Sequence, residues 1–198
     1  ERTAFLHVAD IWSDRQHGES ARPIERILAE GQSLMVQVLK DPIGTKGARL
    51  STQVSLAGRL LVYLPQEKHI GISQRIEDEA EREALRSRLT ALVPEDEPGG
   101  FIVRTMAESA SDAELAADIA YLRKLWREIS GSTVGLFPPK VLHEDLSLGQ
   151  RTLRDLVTDE TSRIRVDSRE NFQKLTAFAA EYTPQVLPLL EHYAGERP

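Results

Sequence analysis

An arginine followed directly by a threonine, Arg104-Thr105, is the pair of residues in this sequence that is best suited to bind a phosphate. A guanidinium group can hold a phosphate through two parallel charge-assisted hydrogen bonds, and an adjacent hydroxyl and backbone N–H can bind the remaining oxygens. A terminal monophosphate offers more charge and more free oxygens than an internal phosphodiester, and a closed pocket would exclude a triphosphate by size. The alternative is an arginine that ends a strand and forms a salt bridge on the surface.

Phe5 and Lys46 form a second pair, whose residue types are suited to binding a nucleic acid. An exposed aromatic ring can stack on a nucleic-acid base, and a lysine on a neighbouring loop can neutralise a phosphate. The alternative is that Phe5 is a core residue. Residues 22–59 also carry an excess of three positive charges, which predicts a basic patch for phosphate contacts. The charged residues of this segment are Arg22, Arg26, Lys40, Lys46, Arg49 and Arg59 against Glu25, Glu30 and Asp41.

Clustered acidic residues raise the hypothesis of a metal site, because hard cations such as magnesium bind carboxylates. On a helix, however, neighbouring residues point to different faces, so we expect a solvated surface instead. The five histidines show no metal-ligand spacing. We therefore expect this chain to bind no metal. The acidic groups are Glu77, Asp78, Glu79, Glu81 and Glu83, then Glu144-Asp145, and then Asp155, Asp159 and Glu160.

The composition limits the classes of function further. The chain has 198 residues, with 25 basic and 31 acidic side chains and a net charge of −6, so any nucleic-acid site must be local. It has no cysteine, which excludes disulfides, thiolate zinc sites and cysteine nucleophiles and fits a reducing compartment. No apolar run approaches the ~20 residues of a membrane span. We also expect no signal peptide, since the chain opens on Glu1-Arg2-Thr3 without a basic start and apolar block.

The elements that must position these residues can be predicted from periodicity and turn residues, and they give an α+β fold. The clearest helix begins after Ser111, which pairs with Glu114 in a capping box, and ends at Gly131. No final element is evident in the tail, which contains Pro184 and Pro188. The other predicted helices cover 23–30, 76–93, 149–158 and 168–180, and the predicted strands cover 3–8, 34–39, 49–54, 60–64, 101–105 and 162–166.

Three blocks of this sequence resemble the ribonuclease G/E family. The most specific is Asp41–Arg59, and the others are Gly71–Glu77 and Gly100–Thr105, in the family's order and at plausible spacing. Residues 22–65 are similar to the bacterial ribonuclease G branch almost continuously. The predicted strand at the start of the chain, the loop after it and the segment Ile24–Val38 together resemble the second half of an OB barrel of the ribosomal S-one type. This fold binds single-stranded RNA.

The resemblance implies an architecture in three parts. Residues 1–52 would be a partial OB-fold β-barrel, residues 53–149 a 5′-sensor domain, and residues 150–198 an incomplete RNase H-like α/β subdomain with no catalytic role. The family's catalytic carboxylates lie in a DNase I-like domain that follows, and its Cys-Pro-x-Cys zinc link lies further downstream. We therefore expect the sequence to be a fragment of an enzyme that is not catalytic on its own.

The resemblance also implies roles for particular residues. Arg104 and Thr105 would bind the 5′-monophosphate of RNA, with Gly58 and Val62 as part of the pocket. Phe5 and Lys46 would hold RNA near its cleavage site. The family tends to have two arginines at the positions that match 74 and 75. Because position 74 is glutamine here, the resemblance implies an RNA-binding role for Arg75 alone.

For the parent protein, the resemblance implies a cytoplasmic, homo-oligomeric endoribonuclease that cleaves single-stranded RNA by magnesium-assisted hydrolysis. It would prefer 5′-monophosphorylated substrates and act in rRNA maturation and RNA turnover, without a membrane partner. One alternative is a non-enzymatic scaffold that binds single-stranded RNA. Another is an independent metal nuclease that uses the acidic residues of the C-terminal third.

Overall fold

The computed structural model describes residues 3–12, 23–133, 135, 137–158 and 160–195. Four residues named above, Glu1, Arg2, Arg22 and Asp159, lie outside this part of the chain. The described residues form a mixed α+β fold with three small sheets, none of which closes into a barrel. The chain divides into two compact units, Glu1–Lys140 and Val141–Pro198, which are described separately below. The α+β class is thus confirmed.

The first sheet of the N-terminal unit contains three short strands. They are β1 (Phe5–Leu6), β2 (Gln37–Lys40) and β3 (Arg49–Ser51), and β3 lies in the middle, parallel to β1 and antiparallel to β2. Gly47 precedes β3 where the chain passes residue 3, and a Cβ there would lie 1.7 Å from the Thr3 carbonyl oxygen. Only glycine therefore allows the start of the chain to approach β3 this closely.

The second sheet positions Arg104. It contains β4 (Leu56–Ala57), β5 (Leu61–Leu64), β6 (Ile70–Ile72) and β7 (Gly100–Val103) in the order β4-β5-β7-β6. Strand β7 is antiparallel to β5 and parallel to β6. Because side chains alternate along a strand, one face of the sheet is buried and the other is half-buried. The buried face carries Leu61, Tyr63, Phe101 and Val103, and the other carries Val62 and Ile102.

Two helices pack against this sheet: α1 (Glu79–Leu92) contacts β6, and α2 (Asp112–Gly131) contacts β4 and β5. The predicted capping box at Ser111 is present, and hydrogen bonds from Ser111 lower the pKa of the Glu114 carboxyl. The apolar face of α2, with Leu115, Ile119, Leu122, Leu125 and Ile129, is buried. Neither these helices nor any other described one has the length and apolar character to cross a membrane.

A buried carboxylate joins the loop before β7 to the sheet and to α2. Glu97, only 3% exposed, accepts a hydrogen bond from the Tyr63 hydroxyl at 2.5 Å and one from the Gly99 N–H at 3.2 Å, and its other oxygen pairs with Arg123. Burial of the phenol and its bond to Glu97 raise the pKa of Tyr63. The carboxylate charge is thus compensated from three sides, as a buried charge requires.

The C-terminal unit contains α3 (Leu148–Asp155), β8 (Ile164–Val166), α4 (Arg169–Tyr182) and β9 (Leu190–His192). The expectation of no final element in the tail is wrong. A 3-10 turn covers Pro184–Leu189, and β9 then pairs in parallel with β8. The tail folds because Val186 is part of the core of the unit, and Leu187 and Leu190 pack against that core. No periodic pattern in the tail itself predicts this structure. This core contains Leu153, Leu175, Phe178, Ala179 and Val186.

Candidate nucleic-acid interface

Arg104 follows the last residue of β7 and is held by the turn between β4 and β5. Its backbone N–H donates to the Leu60 carbonyl at 2.8 Å. Its side-chain Nη1 donates to the carbonyls of Gly58 and Arg59, the latter at 3.1 Å. Neither Nε nor Nη2 of Arg104 forms a hydrogen bond with any residue that the structure describes. One edge of the guanidinium is therefore fixed by the protein, and the remaining donors are available for an anion.

Thr105 begins a short 3-10 turn, Thr105–Ala107, for which Arg104 is the N-terminal cap. Arg104 has an extended backbone, so its side chain continues the face of the sheet that carries Ile102. The Thr105 hydroxyl and N–H form no hydrogen bond within the described ranges. A hydroxyl, an N–H and a partly bound guanidinium thus lie next to one another in the chain, as the phosphate hypothesis requires.

Val62 and Gly58 are brought to the same region by β5 and the turn before it. Val62 lies opposite Ile102 in the β5–β7 register, on the half-buried face. Gly58 contacts Arg104 through its carbonyl oxygen, across 46 residues of sequence. The structure therefore brings together all four residues expected to form the pocket, and their binding role stays a prediction.

The space beside Gly58 is occupied by a residue that the sequence analysis missed. A Cβ at Gly58 would lie 2.5 Å from Oδ2 and 2.7 Å from Oδ1 of Asp118 on α2. The resemblance makes Gly58 part of the pocket, and the geometry adds close packing against Asp118 as a reason for glycine at this position. Asp118 interrupts the apolar face of Leu115, Ile119 and Leu122, and this acidic residue at a core position was the available signal.

Phe5 and Lys46 lie on the first sheet and the turn before β3. Phe5 is 59% exposed, which argues against the alternative of a core residue. Its N–H donates to the carbonyl of Ala48 at 2.7 Å, so β1 runs beside the segment that follows Lys46. Lys46 is exposed and closes the turn that starts at Ile43.

Two further basic residues lie near Phe5 in the first sheet. Arg49 lies directly opposite Phe5 in the β1–β3 register, and residues opposite one another project from the same face. Lys40 pairs with Arg49 from β2 at a bulge, where the β2–β3 register shifts. Arg49 is paired with Asp10 at 3.0 Å, whereas Lys40 forms no ion pair within the described part of the chain. An exposed aromatic ring and a lysine thus lie on the two strands that flank Arg49, which supports the predicted basic patch.

Arg75 lies in the turn after β6, where its N–H donates to the Ser73 hydroxyl at 3.3 Å. Strands β6 and β7 are parallel, so Arg75 and Arg104 follow strands that end at the same edge of the sheet. No contact joins the two described side chains. The expectation for Arg75 stays a prediction.

In the part of the chain that the structure describes, the acidic clusters do not converge. Those of α1 are mostly exposed and pair along the helix, Glu79 with Arg82 at 3.3 Å and Glu83 with Arg86 at 3.6 Å. Both oxygens of Asp155 accept hydrogen bonds from the neighbouring Arg154, at 2.8 and 3.0 Å. Among the described residues, no three histidine or acidic side chains are arranged to hold a metal ion.

Comparison with known proteins shows which family this chain is similar to. The sequence profile described as the Ribonuclease E/G family matches residues 55–198. The chain is 45% identical over 205 residues to Ribonuclease G of Escherichia coli, covering all of this chain and 42% of that protein. It is 41% identical to Ribonuclease G of Haemophilus influenzae and 34% identical to Ribonuclease E of a Nostoc species, covering 41% and 29% of their lengths. The chain thus spans less than half of each of these relatives.

Proposed function

The chain belongs to the ribonuclease E/G family, and we propose that it is the RNA-binding and 5′-monophosphate-sensing portion of a single-strand-specific endoribonuclease. The whole protein then cleaves RNA in rRNA maturation and RNA turnover in the cytoplasm, as a homo-oligomer that uses magnesium. The residues that the structure describes offer no group of carboxylates that fits magnesium. The three proposed parts are the partial OB-fold over 1–52, the sensor over 53–149 and the RNase H-like part over 150–198.

The observation that carries this proposal is the way in which Arg104 is held. Two carbonyls of the β4–β5 turn bind Nη1, so the guanidinium has one orientation. Its remaining donors, with the hydroxyl and N–H of Thr105, form a compact set that suits several oxygens of one phosphate. A terminal phosphate presents those oxygens and carries about −1.5 to −2 charges at pH 7, against one for an internal phosphodiester.

The proposal predicts selectivity for the 5′ end. Three oligoribonucleotides of one sequence, ending in a 5′-monophosphate, a 5′-hydroxyl or a 5′-triphosphate, are compared by fluorescence anisotropy at constant salt. The monophosphate should bind about tenfold more tightly than the hydroxyl, because hydrogen bonds to charged groups contribute about 1.5–3 kcal/mol each. The triphosphate should lose this advantage if the pocket is closed. Equal binding of all three ends by the folded chain would refute the sensor.

The first sheet predicts an electrostatic contribution that does not depend on the 5′ end. Lys46→Ala should lower the slope of log affinity against log salt by about one unit, since each phosphate contact releases about one counterion. Lys174→Ala in α4, which removes a lysine paired with Glu170, is the matched control and should leave the slope unchanged. A slope that Lys46→Ala does not alter would place Lys46 off the RNA path. Phe5→Ala should weaken binding by about 1–3 kcal/mol without unfolding the protein.

A further experiment separates the proposal from an independent metal nuclease. The purified chain, incubated with a single-stranded oligoribonucleotide and magnesium, should show no cleavage, and Asp155→Asn should change nothing. Both oxygens of Asp155 are used by Arg154, which leaves it poorly suited as a metal ligand. Cleavage that survives repurification and is lost in Asp155→Asn would favour the nuclease in the C-terminal third.

A further inference from the structure

Asp118 lies on the buried side of the turn that holds Arg104. It is 9% exposed, and its carboxylate accepts three consecutive backbone N–H groups, from Arg59 at 3.1 Å, Leu60 at 2.9 Å and Leu61 at 2.8 Å. A buried carboxylate is costly unless it is hydrogen-bonded, and these three donors compensate it. Its position on an otherwise apolar face of α2 is thus explained by what it binds.

The same three peptide groups face Arg104 with their other side. In a trans peptide, the N–H of one residue and the C=O of the residue before it point in opposite directions. The N–H groups of residues 59, 60 and 61 bind Asp118, and the carbonyls of residues 58, 59 and 60 bind Arg104. Two of these peptide groups are therefore aligned between the Asp118 carboxylate and the Arg104 guanidinium, and the third lies between the carboxylate and the Arg104 backbone N–H, an arrangement in which hydrogen bonds strengthen one another.

We propose that Asp118 is a positioning residue of the 5′-phosphate site: by binding the N–H groups of residues 59–61, it turns the carbonyls of residues 58 and 59 toward Arg104 and fixes the guanidinium that meets the phosphate. This inference rests on the proposed function of Arg104. Asp118 does not touch the ligand. Its charge lies behind the turn, and its effect on the phosphate passes through the orientation of Arg104.

Gly58 supplies an independent check on this arrangement. An added Cβ would lie 2.5–2.8 Å from three atoms of the Asp118 carboxyl group, so alanine at this position must displace the carboxylate without changing any charge. Gly131 lies at the end of the same helix, and a Cβ added there would meet no described atom within 4 Å. Gly131→Ala is therefore a matched control.

The test compares Asp118→Asn with Glu128→Gln, which removes one exposed charge from the same helix. An asparagine offers one acceptor oxygen and one NH₂ group, and this second group repels an N–H of the turn. In ¹⁵N-labelled protein, the Arg104 Nη1–H signals should shift and exchange faster with water in Asp118→Asn, because the two carbonyls that hold Nη1 are no longer fixed, and should be unchanged in Glu128→Gln. The preference for 5′-monophosphorylated over 5′-hydroxyl RNA should fall by about tenfold, as for loss of a charged hydrogen bond. Binding of 5′-hydroxyl RNA should stay as in the wild type.

The two readouts separate the two claims. An Arg104 signal that Asp118→Asn leaves unchanged would overturn the positioning role, whatever the RNA binding shows. A wild type without 5′ preference would refute the proposed function, while the Arg104 signal would still decide whether Asp118 holds the guanidinium. If Asp118→Asn does not fold, Gly58→Ala takes its place, with the same expected shift and loss of preference and with Gly131→Ala as control. A Gly58→Ala protein with wild-type preference and an unshifted Arg104 signal would overturn the inference.

Discussion

Replacing Arg104 by glutamine should lower the preference for a 5′-monophosphate by about tenfold or more, the largest change in RNA recognition that the structure predicts. The substitution removes the positive charge and the fork of donors that would meet the phosphate. It should leave binding to 5′-hydroxyl RNA nearly unchanged, because the basic patch around Lys46 lies on the other sheet of the unit. The measurement is anisotropy with oligonucleotides that differ only at the 5′ end.

Two variants sharpen this result. Arg104→Lys keeps the charge, but an ammonium group cannot hold two carbonyls along one edge and present a planar fork along the other, so most of the preference should still be lost. Arg127→Gln, on the exposed side of α2, removes one positive charge elsewhere and should preserve the preference. A preference that persists undiminished in Arg104→Gln would keep a sensor in the protein but assign it to other residues.

The largest effect on stability is expected at the Glu97 network. Arg123→Gln should lower the free energy of unfolding by about 3 kcal/mol, because it leaves a buried carboxylate without its charged partner. Glu97 is 3% exposed, and its remaining donors are the Tyr63 hydroxyl and the Gly99 N–H. Urea denaturation followed by circular dichroism measures the change.

The matched control for this variant is the next residue along the helix. Lys124→Gln breaks a pair with Glu128 at 3.7 Å in which both side chains are about half exposed, and such pairs contribute about 0–1 kcal/mol. Equal destabilisation by the two substitutions would show that Arg123 contributes no more than a surface charge, and that the loop before β7 is held by other contacts.

The parts of the fold that sequence patterns predicted are those with local signals. Helix α2 combines a capping box at Ser111 with a regular apolar face, and both are visible in one window of sequence. Strands β4, β6 and β9 were missed because they lie outside the runs from which the other strands were predicted and are defined by pairing. Strand β6 pairs with a strand that lies beyond the whole of α1, and such long-range pairing leaves no periodic trace.

In the candidate site, too, the residues found from the sequence are those with a local signal, and the missed residue depends on tertiary packing. Arg104 and Gly58 were found through short blocks that resemble a family, although the contact between them spans 46 residues. Asp118 was missed because an aspartate in a charged helix is most often solvated, and its burial depends on the turn that α2 covers. The exposure of Phe5 was likewise undecided in the sequence, since an aromatic residue in a short strand suits a core and a binding face equally.

The most direct test of a 5′-monophosphate sensor uses a ligand too short to reach the first sheet. A dinucleotide with a 5′-monophosphate is added to ¹⁵N-labelled protein, and the Arg104 Nε–H and Thr105 N–H signals are followed against the same dinucleotide with a 5′-hydroxyl. The proposed function predicts that both signals shift in a saturable way with the monophosphate and stay in place with the hydroxyl. Shifts that are the same for the two dinucleotides, or that appear only at residues outside 58–62 and 104–105, would contradict it.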